Sequence, residues 1–122
     1  MIVLAIAMGG AIGAVARFMV DGYVQDRLGH LFPWGTFAIN VSGSLLLGLL
    51  VGVTLYHGFP HLPYVILATG FCGAYTTFST FGYETIRLAD ENAGLPAGAF
   101  ALGSLAAGLV AAALGLSLAA VI

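Results

Sequence analysis

The sequence predicts an all-α integral membrane protein, and two observations support this. Of the 122 residues, 61% are hydrophobic and only 7% are charged, whereas a soluble domain carries roughly 25% charged residues. The apolar residues also fall into long runs that are separated by short stretches rich in Pro and Gly. A surface with so few charges cannot face water on all sides, so lipid must cover most of it.

Four runs are long enough to be transmembrane helices, since crossing a bilayer takes about 20 apolar residues. The predicted spans are about 2–20, 36–56, 62–83 and 95–122. We therefore expect residues 1–122 to form a single four-helix transmembrane domain. The predicted loops are 21–35, 57–61 and 87–94.

The charged residues exclude nucleic-acid binding and leave the membrane orientation open. The chain has no lysine, and its three arginines are Arg17, Arg27 and Arg87. Nucleic-acid binding requires a basic face, and this chain has none. Arg27 and Arg87 lie in the first and third loops, which the positive-inside rule places in the cytoplasm. Acidic neighbours crowd both arginines, so the sequence does not decide between one orientation and both.

Glycine is abundant, with 18 residues, and much of it is spaced for close contact between helices. Small residues four positions apart let two backbones approach in a membrane, where the hydrophobic effect does not drive helices together. Three such pairs occur: Gly9 with Gly13, Gly48 with Gly52, and Gly94 with Gly98. Four helices cannot bury every such face internally, so we also expect a homo-oligomer.

Polar residues line one face of the second predicted helix. Thr36, Asn40 and Ser44 recur every four residues, which places them along a single face. A buried amide such as that of Asn40 requires hydrogen-bond partners. The partner is either a neighbouring helix or an ion, and the spacing does not distinguish the two.

The third predicted helix combines polarity with helix-weakening residues. Phe78 and Phe81 are three positions apart and so project from one face. An adjoining strip contains Thr77, Thr80 and Glu84, and the group is bracketed by Gly70, Gly73 and Gly82. Such a stretch predicts a helix that is broken within the membrane. Irregular backbone at that depth is tolerated where it lines a cavity or holds an ion.

The available groups favour a small anion over a cation. No acidic residue lies at the centre of a predicted span, whereas cation pathways commonly carry rings of Asp or Glu. Instead, donors are available from the Asn40 amide and from the hydroxyls of Ser79, Thr80 and Ser104. A phenyl ring is positive at its edge, so the edges of the two phenylalanines suit an anion.

Two charged residues near the ends of predicted spans each allow two interpretations. Arg17 either attracts anions into a vestibule or extends to the lipid headgroups. Glu84 either accepts a hydrogen bond from Thr36 at a pore mouth or caps a helix end in water. Arg87 follows Glu84 by three residues and is predicted to form an ion pair with it.

Three stretches resemble the signature motifs of the CrcB/Fluc fluoride channel family. They are GGAIGAVARF (9–18), GTFAINVSGSLLLG (35–48) and GFCGAYTTFSTFGYE (70–84), and they match in order and spacing. The resemblance covers the whole chain. It implies a homodimer of two antiparallel, dual-topology chains, with two fluoride pores along the interface. It also implies passive export of fluoride from the cytoplasm across the cell inner membrane, which lowers fluoride toxicity.

The same resemblance implies roles for individual residues. Ring edges of Phe78 and Phe81 would line the pore, and Asn40 would donate to fluoride. The remaining positions implied are pore hydroxyls at Ser79, Thr80 and Ser104, an outer polar track of Thr36 and Glu84, and a vestibule charge at Arg17. A structural Na⁺, which is not transported, would be held by the backbone carbonyls of Gly73 and Thr76 from both subunits. Phe100 and Gly108 flank Ser104 by one turn without a hydroxyl, which departs from the family pattern.

Two other functions fit a chain of four short apolar helices less well. A small four-helix multidrug transporter needs a carboxylate deep in its first helix, and residues 1–20 contain no Asp or Glu. A non-transporting membrane assembly subunit would tolerate Asn40→Ala without loss of function. The sequence does not predict an enzyme, because no nucleophile lies beside a base and no metal-ligand cluster lies in the membrane.

Overall fold

The computed structural model describes residues 1–91 and 94–122, and every regular element in these residues is helical. The elements are α1 (Ile2–Leu28), α2 (Trp34–His57), α3 (His61–Val65), a π-helical segment (Ile66–Cys72), α4 (Gly73–Tyr75), α5 (Ser79–Asp90) and α6 (Gly94–Val121). Within the described residues, three helices are long and apolar enough to cross a membrane, namely α1, α2 and α6.

The first loop is shorter than predicted. Helix α1 continues to Leu28, where it ends at Gly29 with a φ of 82°, so Asp21 and Asp26 lie on a helix and not in a loop. The prediction was wrong because hydropathy marks where apolar residues end, whereas a helix continues until a residue such as glycine terminates it. The third loop is shorter for the same reason, since α5 extends to Asp90. Part of that predicted loop, residues 92–93, lies outside the described residues.

The segment predicted as the third span is helical in separate pieces. Helix α3, the π-helical segment and α4 follow one another without interruption over residues 61–75. Thr76 is then extended, with φ −75° and ψ 161°. Helix α5 begins three residues later, at Ser79. π-Helical turns are rare in proteins, and those that do occur are often found at functional sites.

Glycines allow α1 to contact the π-helical segment backbone to backbone. A Cβ atom added to Gly9 would lie 2.8 Å from the Ile66 carbonyl oxygen, and one added to Gly70 would lie 2.6 Å from the Ile6 carbonyl oxygen. A Cβ on Gly13 would collide with the backbone of Phe71. The close approach predicted from the Gly9 and Gly13 spacing is therefore confirmed.

Helices α2 and α6 run parallel and pack against each other along their length. Gly48 lies against the backbone of Ala112. Further along both helices, Gly52 lies against Ala119. At the end of α2, the His57 Nε2–H donates to the Ala119 carbonyl at 2.8 Å. Gly98, by contrast, has no atom of the described chain within 4 Å of its Cβ position, so its small face is not used inside the described part of one chain.

An aromatic cluster holds α5 against α6 at the end of the bundle where α2 begins. Phe100 is fully buried at its centre. Its ring contacts Phe81 with 5.4 Å between centroids and Phe32 edge-on at 5.6 Å. Leu88 and Ala97 complete the buried cluster. These contacts position the start of α5, and hence the residues that follow Thr76.

Replacement of Gly48 by alanine is expected to lower the free energy of unfolding by about 1–3 kcal/mol, because overpacking a close contact costs about that much. The new Cβ would collide with the Ala112 carbonyl, so the two helix backbones would have to separate. The measurement is equilibrium unfolding of detergent-solubilised protein in SDS. Gly22→Ala is the control, since a Cβ at Gly22 meets nothing within 4 Å. Equal effects of the two substitutions would contradict the packing account.

Candidate functional site

A groove of about 490 Å³ lies between α2, the 61–81 stretch and α6. Six of the residues to which the family resemblance assigns a role line it: Asn40, Gly73, Thr76, Phe78, Phe81 and Ser104. Ser44, Cys72, Thr77 and Gly108 also line it. The structure thus brings the second, third and last predicted spans together at one site.

Asn40 forms two hydrogen bonds with the backbone of a single residue, Thr77. Its Nδ2–H donates to the Thr77 carbonyl at 2.9 Å, and its Oδ1 accepts from the Thr77 N–H at 2.9 Å. This pair of bonds, the Asn40 clamp, replaces bonds that a continuous helix would have supplied to Thr77. A primary amide has two N–H donors, so one donor of Asn40 is not used by the clamp.

Hydrogen bonds at the break also change the environment of two backbone carbonyls. In a continuous α-helix the Thr77 N–H would donate to the Gly73 carbonyl, but here it donates to Asn40. The Thr80 N–H would likewise serve the Thr76 carbonyl, but it donates to the Thr77 hydroxyl at 3.1 Å. Both carbonyls that the resemblance assigned to a cation therefore have helical donors that are directed to other acceptors.

Thr77 also organises the hydroxyl groups at the start of α5. Its Oγ1–H donates to the Thr80 hydroxyl at 3.1 Å, and its Oγ1 lies 3.4 Å from the Ser79 hydroxyl. Because its Oγ1 accepts a hydrogen bond from the Thr80 N–H, Thr77 satisfies one of the free backbone donors in the first turn of α5. Ser79 and Thr80 thus meet Thr77 and are not among the residues that line the groove.

The two predicted phenylalanines share one wall of the groove but differ in burial. Their ring centroids are 6.0 Å apart with the planes tilted by 37°. Phe81 is half-buried against Phe100. Phe78 is 86% exposed, so its ring is not packed within the described part of the chain.

Ser104 presents a buried hydroxyl at the groove. It is only 9% exposed, and its Oγ has no hydrogen-bond partner within residues 1–91 and 94–122. Of its two neighbours one turn away, Phe100 is buried in the aromatic cluster and Gly108 lines the groove. The polar groups that continue along the groove therefore come from α2, where Ser44 lies near Gly108.

The remaining predicted residues lie away from the groove lining. The Arg17 Nη1–H donates to the Thr76 carbonyl at 3.4 Å. Glu84 and Arg87 form the predicted ion pair, with 2.6 Å between Oε2 and Nη2. Thr36 is buried in the first turn of α2. Glu84 is thus paired with Arg87, and neither of the two roles predicted for it is seen within the described residues.

Two features, one in the site and one beside it, were not predicted from the sequence. One is the role of Thr77, whose backbone is the partner of Asn40. The other is the pair formed by Ser42 and Tyr75, whose hydroxyls are 2.9 Å apart. Because the Ser42 hydroxyl lies 2.7 Å from the Ala38 carbonyl and donates to it, the Tyr75 O–H donates to Ser42. Spacing along one helix identifies a polar face but not the residue that it meets, so neither pairing had a signal in the sequence.

Comparison with known proteins identifies the family. The family model described as "CrcB-like protein, Camphor Resistance (CrcB)" matches residues 4–116. The chain belongs to this family. The match includes every residue of the groove lining named above, and the resemblance inferred from the three motifs is confirmed.

Similar CrcB-like proteins are named as ion channels. A "Fluoride-specific ion channel FluC 1" of Streptomyces avermitilis is 52% identical over 110 residues, which cover 89% of this chain and 88% of that protein. A protein of the same name from Leifsonia xyli subsp. xyli is 47% identical and covers 95% of this chain and 85% of its own length. A "Fluoride-specific ion channel FluC" of Syntrophotalea carbinolica is 46% identical, covering 93% of this chain and 94% of that protein. With its three long apolar helices, the chain is a multi-pass membrane protein.

Removal of the clamp by Asn40→Ala is expected to lower the free energy of unfolding by about 2 kcal/mol or more, because each buried polar group left unsatisfied costs roughly 1–3 kcal/mol. Amide hydrogen exchange at Thr77 should accelerate as well. SDS unfolding and exchange measured by mass spectrometry test both effects.

Thr54→Ala is the matched control for Asn40→Ala. Thr54 is on the same helix, and its hydroxyl donates only to the Leu50 carbonyl one turn back. Its replacement should cost less than about 1 kcal/mol and leave exchange at Thr77 unchanged. An Asn40→Ala protein with wild-type exchange at Thr77 would show that the clamp does not hold the backbone.

Proposed function

We propose that this chain is a fluoride-specific ion channel that exports fluoride passively from the cytoplasm. The observation that carries the proposal is the match to three relatives of that name over most of both chains. The groove supports it chemically. Its lining contains the Asn40 amide, the Ser104 hydroxyl and two phenylalanines, and no Asp or Glu.

In the proposed mechanism, neutral groups replace the water around the anion. The Asn40 N–H that the clamp does not use and the buried Ser104 O–H are both donors without a partner in the described chain. The edges of Phe78 and Phe81 add positive electrostatic potential. Because none of these groups carries a full charge, the anion is bound weakly enough to leave again.

The proposed pore needs a second chain. The groove is open on one side, and Phe78 at its edge is 86% exposed. We propose that an antiparallel copy covers this side, which makes a homodimer in the cell inner membrane. Residues 61–90 then form the fourth crossing, a transmembrane helix broken at Thr76. Irregular backbone at this depth is satisfied by Asn40, as a lipid environment requires.

The same break suits the structural sodium ion that the family resemblance implies. A small hard cation prefers oxygen ligands, and backbone carbonyls freed by an unwound helix coordinate Na⁺ in membrane proteins. The Gly73 and Thr76 carbonyls have their helical donors directed elsewhere, and both residues line the open groove. These carbonyls would hold the ion, which would supply a fixed positive charge between the two chains.

The two alternative functions are not favoured. The relatives that resemble this chain over most of its length are named as fluoride channels, not as drug transporters or assembly subunits. Helix α1 carries no carboxylate before Asp21. Both carboxylate oxygens of Asp21 accept hydrogen bonds from the Gln25 Nε2 amide, each at 3.0 Å. The Asp21 side chain faces the beginning of α2, because a Cβ on Gly35 would collide with it.

Purified protein in liposomes is expected to release fluoride rapidly and chloride at the background rate. Phe78→Ile and Phe81→Ile should each slow fluoride release by about tenfold or more, which corresponds to about 1.4 kcal/mol in the barrier to ion passage. Ion-selective electrodes measure both anions. Phe18→Ile is the control, since Phe18 is 81% exposed on α1 and does not line the groove. Equal rates for the two anions would exclude a fluoride-specific channel.

An antiparallel dimer is expected to expose the same residue on both faces of the membrane. The natural cysteine is Cys72, which is buried, so a Cys72→Ser, His61→Cys protein carries one accessible thiol at the first residue of α3, next to the short loop after α2. In sealed membrane vesicles of one orientation, a membrane-impermeant maleimide should label about half of the chains, because half of them would be inverted. Labelling of all chains or of none would indicate a single orientation.

A further inference from the structure

Arg17 lies where α1 passes the break that follows α4. Its Nη1–H donates to the Thr76 carbonyl at 3.4 Å. The approach depends on Gly13, which is one turn earlier on α1 and lies against the backbone of Phe71. Because these two backbones touch, the half-buried Arg17 side chain reaches the Thr76 carbonyl rather than the lipid headgroups.

The partner of Arg17 differs in kind from the partners of the other two arginines. Arg87 is paired with the carboxylate of Glu84, and Arg27 lies 5.0 Å above the ring of Tyr23. Within residues 1–91 and 94–122, Arg17 forms no ion pair, and its hydrogen bond is to a backbone carbonyl. Its full positive charge therefore faces the end of a helical run.

That helical end is a favourable place for a cation. The peptide dipoles of residues 61–75 are aligned, and their negative end is at Thr76. The Thr76 carbonyl also has its helical donor redirected, because the Thr80 N–H donates to Thr77. A protein interior screens charge less than water does, so a guanidinium stabilises this carbonyl more than a surface contact would.

We propose that Arg17 is a positioning residue that stabilises the helix break and lowers its affinity for sodium. The inference rests on the proposed function, in which the same Thr76 carbonyl would hold Na⁺. A carbonyl oxygen has two lone pairs, so both cations can use it, but their like charges repel. Arg17 thus keeps the break folded when sodium is scarce and makes sodium binding weaker than the carbonyls alone would allow.

The experiment measures thermal stability of the full-length, detergent-solubilised protein while Na⁺ replaces N-methyl-D-glucamine at constant ionic strength. For Arg17→Gln, the sodium concentration that gives half of the stabilisation should fall at least about fivefold, a typical size for coupling between two sites. Without sodium, this variant should melt below the wild type. Arg17→Lys, which keeps the charge, should retain the wild-type sodium midpoint.

Arg27→Gln is the matched control, because it removes the same charge from the same helix at a residue that contacts Tyr23. It should leave the sodium midpoint unchanged. Arg17→Met, which keeps the apolar stem, provides a second neutral variant if Arg17→Gln does not fold. Superimposable sodium titrations of the wild type and the neutral variant would overturn the inference, as would a wild type that does not respond to sodium.

Fluoride release by the wild type separates this inference from the proposed function. If the wild type releases fluoride but the titrations superimpose, the role of Arg17 is wrong and the channel remains. If the titrations differ as expected but the wild type releases no fluoride, the role of Arg17 is supported and the channel assignment is wrong.

Discussion

The site depends on the paired hydrogen bonds between the Asn40 amide and the backbone of Thr77. Each bond is 2.9 Å long, and together they satisfy the N–H and the C=O of a residue that belongs to no helix. An unsatisfied backbone group costs several kcal/mol in hydrocarbon, so in the proposed membrane-crossing arrangement these two bonds stabilise the break. One amide carries a donor and an acceptor in the required geometry, which a hydroxyl or a carboxylate does not.

The rest of the chain brings these two residues together. Glycines on α1 lie against the π-helical segment, and glycines on α2 lie against α6, so two tightly packed helix pairs flank the groove. The aromatic cluster around Phe100 then holds α5 in line after the break. With the backbone satisfied internally, the Ser104 hydroxyl and the two phenylalanines are available at the groove for another role.

Much of this arrangement was predictable from the sequence. Hydropathy located the long apolar helices, glycine spacing identified two close contacts, and the motif around Phe78 and Phe81 identified the family. The partner of Asn40 was not predictable, because spacing of four residues defines a helix face but not what that face meets. The contact of Arg17 was missed for a related reason, since it requires both the backbone approach at Gly13 and the freed carbonyl of Thr76. Helix ends were misplaced where charged residues continue a helix beyond its apolar part, as in α1.

In the proposed arrangement with four membrane crossings, the broken 61–90 stretch has a consequence for how the nascent chain enters the membrane. Its second half, α5, carries Glu84, Arg87 and Asp90 among its twelve residues, so by itself it would gain little from leaving the aqueous translocation channel. Residues 76–78, which lie between α4 and α5, would also enter lipid with backbone N–H and C=O groups that lack hydrogen bonds. Helix α2 is synthesised earlier and already offers Asn40. We therefore expect stable integration of the later stretch to wait for α2, so that one amide sets the order in which the nascent chain is assembled.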